Sequence, residues 1–329
     1  MKKCQALFFE APYQVSIHNE SMPVPTGGQV LVKTTFSAIS AGTELLFYRG
    51  QFPLEMEVDA SIDALEEQKD YPLKYGYMAV GVIEEIGKNL SEQLLEKRVF
   101  SFQPHQSHFV AKESDLIFIP DNIADEDAVF LPNMETAVNL VMDAKPLLGE
   151  RVIIFGQGIV GLLVSAFLRQ FPLEELVVVD PLLMRREAAL ALGVDAAFDP
   201  KEITLSNFDL ALELSGVPEA LNMAIKKVGF SGRVVVGSWY GQKPVSLDLG
   251  GRFHRDRIEI ISSQVSTIAP ELSARWDKSR RFAWVWKMLG TVKPSQWISS
   301  RIPLEEAEQV FATLDTNPQD VLQVVFEYI

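Results

Sequence analysis

Over the first third of the chain, apolar positions alternate with polar ones in short bursts. QVLVKTTFSAIS (29–40), AVGVIEEIG (79–87), KRVFSF (97–102) and HFVA (108–111) are β-branched or alternating runs separated by Gly, Pro and Asn. That is the pattern of strands joined by turns. From about residue 134 the spacing changes: RVIIFG (151–156), LVVVD (176–180), DLALELSG (209–216), RVVVGS (233–238) and RIEIISSQ (257–264) read as buried strands. GIVGLLVSAFLRQF (158–171), RREAALALG (185–193) and PEALNMAIKKVG (218–229) lie between them with helical spacing. Such alternation predicts βαβ units around a parallel sheet. Beyond about 266 the style changes again, to a helix rich in Arg and Trp (275–289), then IPLEEAEQVFATLD and a closing strand, LQVVFEYI. Three segments follow: 1–133, mainly β; 134–265, α/β; and 266–329, a return to the first style. No internal repeat or low-complexity tract interrupts them.

Composition narrows the function classes. The chain has 329 residues, 47% hydrophobic and 22% charged, enough for two domains. A formal charge of −14 opposes nucleic acid and anionic membranes as partners, because both need a basic face. The single cysteine, Cys4, excludes an internal disulfide and a Cys-rich zinc cluster. The opening MKKCQALFFEAPYQV has too short an apolar stretch for a signal peptide, and no run approaches the roughly 18 apolar residues of a spanning helix. A soluble, cytoplasmic protein acting on a small molecule is expected. EMEVDASIDALEEQKD (55–70) carries seven acids against one lysine, which suits a solvated helix or loop and, less simply, a lid.

The first chemical motif is Gly156-Gln157-Gly158-Ile159-Val160-Gly161, placed after a strand and opening a helix. That context gives G-x-G-x-x-G its meaning. The first glycine permits the tight turn, the second lets backbone N–H groups approach a pyrophosphate, and the third lets helix and strand pack closely. The helix N-terminus adds positive potential. Asp180 ends the next strand, about 20 residues on, where a carboxylate takes both adenosine ribose hydroxyls and repels a 2′-phosphate. NAD is therefore expected, with NADP kept open by Arg185 and Arg186; Arg185 could equally reach the ribose. Pro181 belongs to the same turn, and Ser215, Gly216, Gly237 and Ser238 end later strands, where open α/β sheets bind ligands.

The second is YGYMAVGVIEEIG (75–87), whose glycines before and inside a strand imply close approach of another backbone or of a ligand.

The chain as a whole resembles the medium-chain dehydrogenase/reductase superfamily, the zinc alcohol and polyol dehydrogenases and their zinc-free quinone-reductase relatives. The likeness covers nearly all 329 residues, through PVPTGGQVLVKTTFSAISAGTE, YGYMAVGVIEEIG, IPDNIADEDAVFLPNMETAV, GERVIIFGQGIVGLL and RIPLEEAEQVF. SAISAGTELLFYRGQFP and YPLKYGYMAVG look like the bacteriochlorophyllide-dehydrogenase type of branch. The resemblance implies a mainly β GroES-like catalytic domain and a Rossmann doubly wound parallel-sheet domain that binds NAD(P), with Thr136 beside the cofactor and substrate held between the domains. It also implies a homodimer or homotetramer, for which RIEIISSQV (257–265) is a candidate sheet-extension edge.

Residue by residue, the family's zinc-binding Cys, His and third ligand fall on Ala41, Tyr77 and the neighbourhood of Leu131-Pro132. None is a usual zinc ligand, and the four-cysteine structural-zinc loop is absent, so neither metal is expected. His105 and His108, with Glu44 or Glu135, are the residues left for an atypical metal; the pair reads first as ordinary polar loop histidines and otherwise as a metal-free part of the pocket. His18 and His254 read as surface or structural.

Without a metal, hydrogen-bond donors must stabilise the developing alkoxide. Thr43 holds the family's proton-relay position. Tyr77, with a phenol pKa near 10, would be a neutral donor, and His105 could supply or take the proton. Phe47, Tyr48, Tyr77 and residues 102–108 would line the pocket. An NAD(P)-dependent, zinc-independent oxidoreductase of alcohols and carbonyls, or of enones and quinones, is the leading expectation. A non-catalytic nucleotide-binding sensor or scaffold and a zinc dehydrogenase with atypical ligands are the alternatives.

Overall fold

The computed structural model describes residues 3–52 and 70–328. The acidic stretch 55–70 therefore lies, but for Asp70, outside the described residues. The chain divides into two compact units, Met1–Pro132 with Leu289–Ile329, and Asn133–Met288. The second boundary falls at 288/289 rather than near 266. Arg281 explains the shift: its guanidinium is 1% exposed and is bound by Glu135 and Asn139, which ties residues past 266 to the α/β unit.

The first unit begins with β1 (Lys3–Ala11) and β2 (Gln14–Ser21), a separate antiparallel pair. β3 (Gln29–Ala38) leads into helix α1 (Ala41–Tyr48), then β4 (Ala79–Ile86), β5 (Arg98–Ser101), β6 (His108–Lys112) and β7 (Ile117–Phe118). Helices α2 (Asp125–Ala128) and α3 (Leu131–Ala144) follow.

The α/β unit continues with β8 (Arg151–Phe155), α4 (Ile159–Leu168), β9 (Glu175–Val179), α5 (Leu183–Ala191), β10 (Ala196–Phe198), β11 (Phe208–Glu213), α6 (Pro218–Lys227), β12 (Val228–Val236) and β13 (Glu259–Ser262). After α7 (Lys278–Val292), the chain returns to the first unit with β14 (Ile298–Ile302), α8 (Ala307–Thr316) and β15 (Gln323–Glu327).

In the first unit one sheet runs β14-β15-β3-β4-β5-β7, with β6 also paired to β3. β15 lies antiparallel to the end of β3, so residues near 326 neighbour those near 37. Val30, Val32, Ile83, Val99 and Phe109 alternate inward and form one core, as half-buried antiparallel strands should. A second core gathers Phe9, Phe47, Tyr75, Phe311 and Phe326. Phe47 stacks on Tyr75 at a centroid distance of 3.9 Å, and Tyr48 is 5% exposed. Both therefore serve as core rather than as pocket wall, because α1 turns its apolar side onto β1 and α8.

The second unit has six parallel strands in the order β10-β9-β8-β11-β12-β13. That is the doubly wound dinucleotide-binding order, with its switch point between β8 and β11. Ile153, Val177, Ala211 and Val234 line one face of the sheet and Ile154, Val178, Leu212 and Val235 the other, all buried, which is why these segments read as continuous apolar runs. β13 is shorter than the run 257–264 suggested. Among the described residues, no helix is long and apolar enough to cross a membrane.

Candidate functional site

Two constellations of polar side chains carry chemistry, one in each unit. In the first unit, Ser40 is the N-cap of α1, yet its hydroxyl does not cap the helix. The capping is done by Glu44, which reaches back so that Oε1 accepts the Ser40 N–H at 2.8 Å. Ser40 Oγ is thereby left to accept the Tyr77 hydroxyl at 2.5 Å. Tyr77 Oη also stands 3.5 Å from Thr43 Oγ1. Tyr77 and Thr43 are half-buried and Ser40 is buried, so three hydroxyls from two distant chain segments meet near the surface of the unit.

Behind that cluster runs a polar chain whose members are buried except for the half-buried Tyr328 at its end. His105 and Glu44 are both 0% exposed, with Nε2 3.0 Å from Glu44 Oε2. The other ring nitrogen, Nδ1, meets Ser37 Oγ at 2.7 Å, and Ser37 Oγ meets Tyr328 Oη at 2.9 Å. Burial pushes the Tyr328 phenol up, so it stays protonated. His105 is thus neither a loop-surface residue nor exposed to a pocket; it is a structural partner of Glu44. Gly76 makes the fit possible: its φ is +130°, and a Cβ there would come 2.8 Å from His105 Cδ2. The glycine of YGY serves close approach, as expected, and the neighbour it admits is the imidazole.

His108 points elsewhere, to Ser107 Oγ at 3.1 Å and Glu84 at 3.5 Å, while Glu135 binds Arg281 at 2.6 Å. The structure does not bring His105, His108, Glu44 and Glu135 together. Among the described residues no three His, Cys, Asp or Glu side chains are grouped as metal ligands would be.

In the second unit the three glycines of the turn between β8 and α4 differ in what they face. Gly156 has φ +93°, and a Cβ would lie 2.7 Å from the Leu214 backbone. A Cβ on Gly161 would lie 2.1 Å from the Gly156 carbonyl oxygen, so helix and strand touch there. Gly158, by contrast, faces open space, with only Arg185 at 4.0 Å. That opening, at the N-terminus of α4, suits a pyrophosphate. Gln157 is buried and braces the turn: its Nε2 donates to the Gly156 carbonyl at 3.0 Å, and its Oε1 accepts from Ser165 at 2.9 Å. Ile159 is buried and Val160 half-buried on the first turn of α4.

Asp180 follows β9 directly, at 1% exposure. Oδ2 accepts the Gln157 N–H at 2.7 Å and Oδ1 the Leu182 N–H at 2.9 Å. Pro181, beside it, is exposed and gives its carbonyl to Arg186 at 2.9 Å. At the end of β11, buried Glu213 accepts from the Ser215 N–H at 2.8 Å and from the hydroxyls of Ser215 and Tyr240, each at 2.5 Å. Burial, then the Glu213 carboxylate, pushes the Tyr240 phenol up. The Gly216 N–H donates to Ser238 Oγ at 2.8 Å, so Ser215, Gly216 and Ser238 form one bonded rim. Gly237 packs on Leu140 and Leu214, and Thr136 lies half-buried on α3.

Ser37, Ser40, Glu213, Tyr240 and Tyr328 escaped the sequence reading. For Ser40 a weak signal existed, since Ser before a helical run is a favoured helix start, although the residue three further on is Thr43 rather than Glu. Tyr328 gave none, being 291 residues from Ser37.

A model for the family "Zinc-binding dehydrogenase" matches residues 160–283. D-guloside 3-dehydrogenase of Escherichia coli K12 is 21% identical over 322 residues, covering 91% of this chain and 90% of its own. Two solved structures share the fold. A short chain alcohol dehydrogenase of Escherichia coli CFT073, complexed with NADH, has a TM-score of 0.79 at 18% identity, with each chain covered in full. The 2R,3R-butanediol dehydrogenase of Bacillus subtilis has a TM-score of 0.80 at 17% identity, covering 99% of this chain and 100% of its own. The donor set that this likeness would assign to zinc does not fit the metal here. Ala41 offers a methyl group, Leu131 a fully buried hydrocarbon side chain, and the Tyr77 hydroxyl is bound to Ser40.

Proposed function

We propose that this chain, which belongs to the medium-chain dehydrogenase/reductase superfamily of zinc-type alcohol dehydrogenase-like proteins, is a nicotinamide-dependent oxidoreductase working without zinc. Its substrate would be a small alcohol/carbonyl pair or an enone or quinone; the dehydrogenase relatives favour the first. The observation that carries this reading is the hydroxyl cluster of Ser40, Thr43 and Tyr77, standing where the family places metal donors.

The bound nicotinamide would supply or take the hydride. The chain's own residues would bind the dinucleotide and manage the proton. Gly156, Gly158 and Gly161 shape the phosphate turn, Asp180 holds its backbone, and the rim of Ser215, Gly216 and Ser238 lies at the carboxyl ends of the neighbouring strands. Tyr77 donates a hydrogen bond to the substrate oxygen, where a metal would otherwise polarise it. As it does so, Ser40 can reverse its hydroxyl and donate to the phenol oxygen, so negative charge developing there is met by a donor. Thr43 extends the relay. His105 and Glu44 hold the start of α1 in register and touch no substrate. The acidic balance, 44 carboxylates against 30 cations, supports a small-molecule partner rather than nucleic acid or membrane. On this reading the chain acts in the cytoplasm as a homodimer or homotetramer.

The test is turnover of NADH and NADPH with a panel of ketones, aldehydes, enones and quinones, on protein purified without chelators and assayed for zinc. We expect turnover without stoichiometric zinc. In Tyr77→Phe it should fall by about 10²-fold, the scale of a lost proton-transfer partner, with dinucleotide affinity unchanged. One zinc per chain, with activity lost on its removal, would overturn the reading, as would unchanged turnover in the variant.

A further inference from the structure

We infer that a cavity in the first unit, separate from the hydroxyl cluster, is a ligand site for a small uncharged polyhydroxy molecule, a monosaccharide or an alditol.

The cavity lies between the pair β1–β2 and strand β6 and has a volume of about 190 Å³. A cavity of roughly 150 Å³ admits a six-membered ring, so a molecule of monosaccharide size has room. Ser40, Thr43 and Tyr77 are not among its lining residues. Backbone bonds fasten β1 to the segment before β6: the Leu7 N–H donates to the His105 carbonyl at 2.9 Å, and the Ser107 N–H to the Gln5 carbonyl at 2.8 Å. Past Gln5 that contact gives way to the cavity. Its wall there is the cross-strand pair Cys4 and Glu20, with His108 and Val110 of β6 opposite.

The polar groups of the wall come as matched donors and acceptors. Lys74 Nζ donates to Glu20 Oε2 at 2.6 Å, and both side chains stay partly exposed. A ligand with a net charge would repel one member of this pair while competing for the other. A hydroxyl does neither, since its oxygen accepts from the ammonium while its hydrogen goes to the carboxylate. Two amides repeat the arrangement. Gln106 Nε2 donates to Gln103 Oε1 across a long 3.4 Å. The Gln103 NH₂ and the Gln106 amide oxygen have no bond to other described residues, so one donor and one acceptor remain for a ligand. Pro23 and Phe109 supply the apolar part of the lining, on which the C–H face of a polyol can pack. The balance of one cation, one carboxylate and two amides is what selects an uncharged partner rich in hydroxyls.

Cys4 lines the cavity and is the single cysteine of the chain, so thiol chemistry reports on this place alone. Burial, then the Glu20 carboxylate, push its thiol up, which makes alkylation slow enough to time. The experiment follows alkylation of Cys4 by iodoacetamide in the full chain, read by intact mass, with D-glucose, D-sorbitol, D-gluconate or D-glucosamine present. We expect D-glucose or D-sorbitol at about 10 mM to slow the reaction about threefold or more, and to saturate. The better of the two tells a ring from an open chain. The charged compounds should change the rate less than about 1.5-fold, because each opposes one member of the Lys74–Glu20 pair. Lys74→Met and Gln103→Ala should each abolish the protection.

Protection that grows linearly with concentration, as an excluded cosolute gives, would overturn the inference. So would protection by the charged compounds equal to that by the neutral ones, protection by none, or protection undiminished in both variants. Should Cys4 resist the reagent, calorimetric titration of D-glucose and D-sorbitol into the wild type and Gln103→Ala decides. Heat lost in the variant supports the site; equal heats, or none in the wild type, overturn it. A polyol that binds only at the hydroxyl cluster leaves Cys4 unprotected, so this site and the proposed activity stand or fall separately.

Discussion

The imidazole of His105 meets the carboxylate of Glu44 at 3.0 Å with neither side chain exposed, and the second Glu44 oxygen takes the Ser40 N–H. One carboxylate therefore serves two segments that lie 61 residues apart. Removing it strands a buried imidazole and an open helix start together. Glu44→Ala should cost about 3 kcal/mol, the scale of a broken buried polar pair. Glu44→Gln should cost about 1 kcal/mol, because its amide oxygen can keep the Ser40 N–H while its NH₂ donates to the other tautomer of His105. Urea denaturation of the two variants checks this; equal losses would show that Glu44 does not act through these two hydrogen bonds.

Ser40 offers a sharper probe of the proposed chemistry than Thr43, because its hydroxyl contacts Tyr77 at 2.5 Å and is not used to cap α1. Ser40→Ala keeps the backbone N–H that Glu44 accepts. We expect kcat to fall about tenfold, with KM and dinucleotide affinity changed less than about twofold. A loss confined to KM would make Ser40 a binding residue and remove it from the relay.

The three glycines of the turn should separate folding from binding. Alanine at Gly161 would bring a methyl 2.1 Å from the Gly156 oxygen, and alanine at Gly156 adds a clash with Leu214 to a backbone at φ +93°. Both should destabilise the α/β unit by about 3 kcal/mol or more, through overpacking and strain. Gly158→Ala meets nothing nearer than Arg185 at 4.0 Å. It should fold with nearly native stability and bind dinucleotide about tenfold more weakly, because its methyl group occupies the face left for the phosphates. Thermal melts with and without NADH distinguish the three; a Gly158→Ala variant as unstable as Gly161→Ala would contradict the open face.

The α/β unit was the more legible half of the chain. Its strands are buried on both sides and its turn chemistry is local: Gly156 to Gly161 and Asp180 sit within about one βαβ unit, whose geometry residue spacing nearly dictates. What spacing hid was how much of Asp180 the backbone consumes, since N–H directions follow from the folded turn. In the first unit the strands showed through their alternation, and the likeness to the family brought Thr43 and Tyr77 forward. The partners of His105 did not show, because Glu44 reaches it from α1 and Ser37 from the end of β3, with Tyr328 bound in turn to Ser37. Phe47 and Tyr48 were misplaced for a related reason. Aromatic residues beside a candidate site look alike in sequence whether they face a ligand or, as here, Tyr75 and Phe311. Arg281 was hidden in the same way: an arginine in a polar stretch reads as surface, whereas Arg281 is buried on Glu135.

Acid stability should depend measurably on Glu150. Its two oxygens accept Arg233 Nη1 and Nη2 at 2.6 and 2.8 Å, and Oε2 also accepts the Leu147 N–H at 2.7 Å. Burial pushes the carboxyl up, but Arg233 and the Leu147 N–H outweigh it, and the group titrates below the ordinary glutamate value of 4.5. A folded-state value below the unfolded one means that the unfolded chain binds more protons in that interval, so stability rises with pH there. The Glu150 contribution is then fully present above pH 4.5 and is lost as the pH falls through the folded value. Glu150→Gln removes this titration and trades a forked, charge-assisted pair for a neutral contact, at a cost of about 2 kcal/mol at neutral pH. Denaturation midpoints measured from pH 7 down to about pH 3 should converge for wild type and variant as acid protonates the wild-type carboxyl. Curves that stay parallel across that range would show that Glu150 carries no pH-dependent stability.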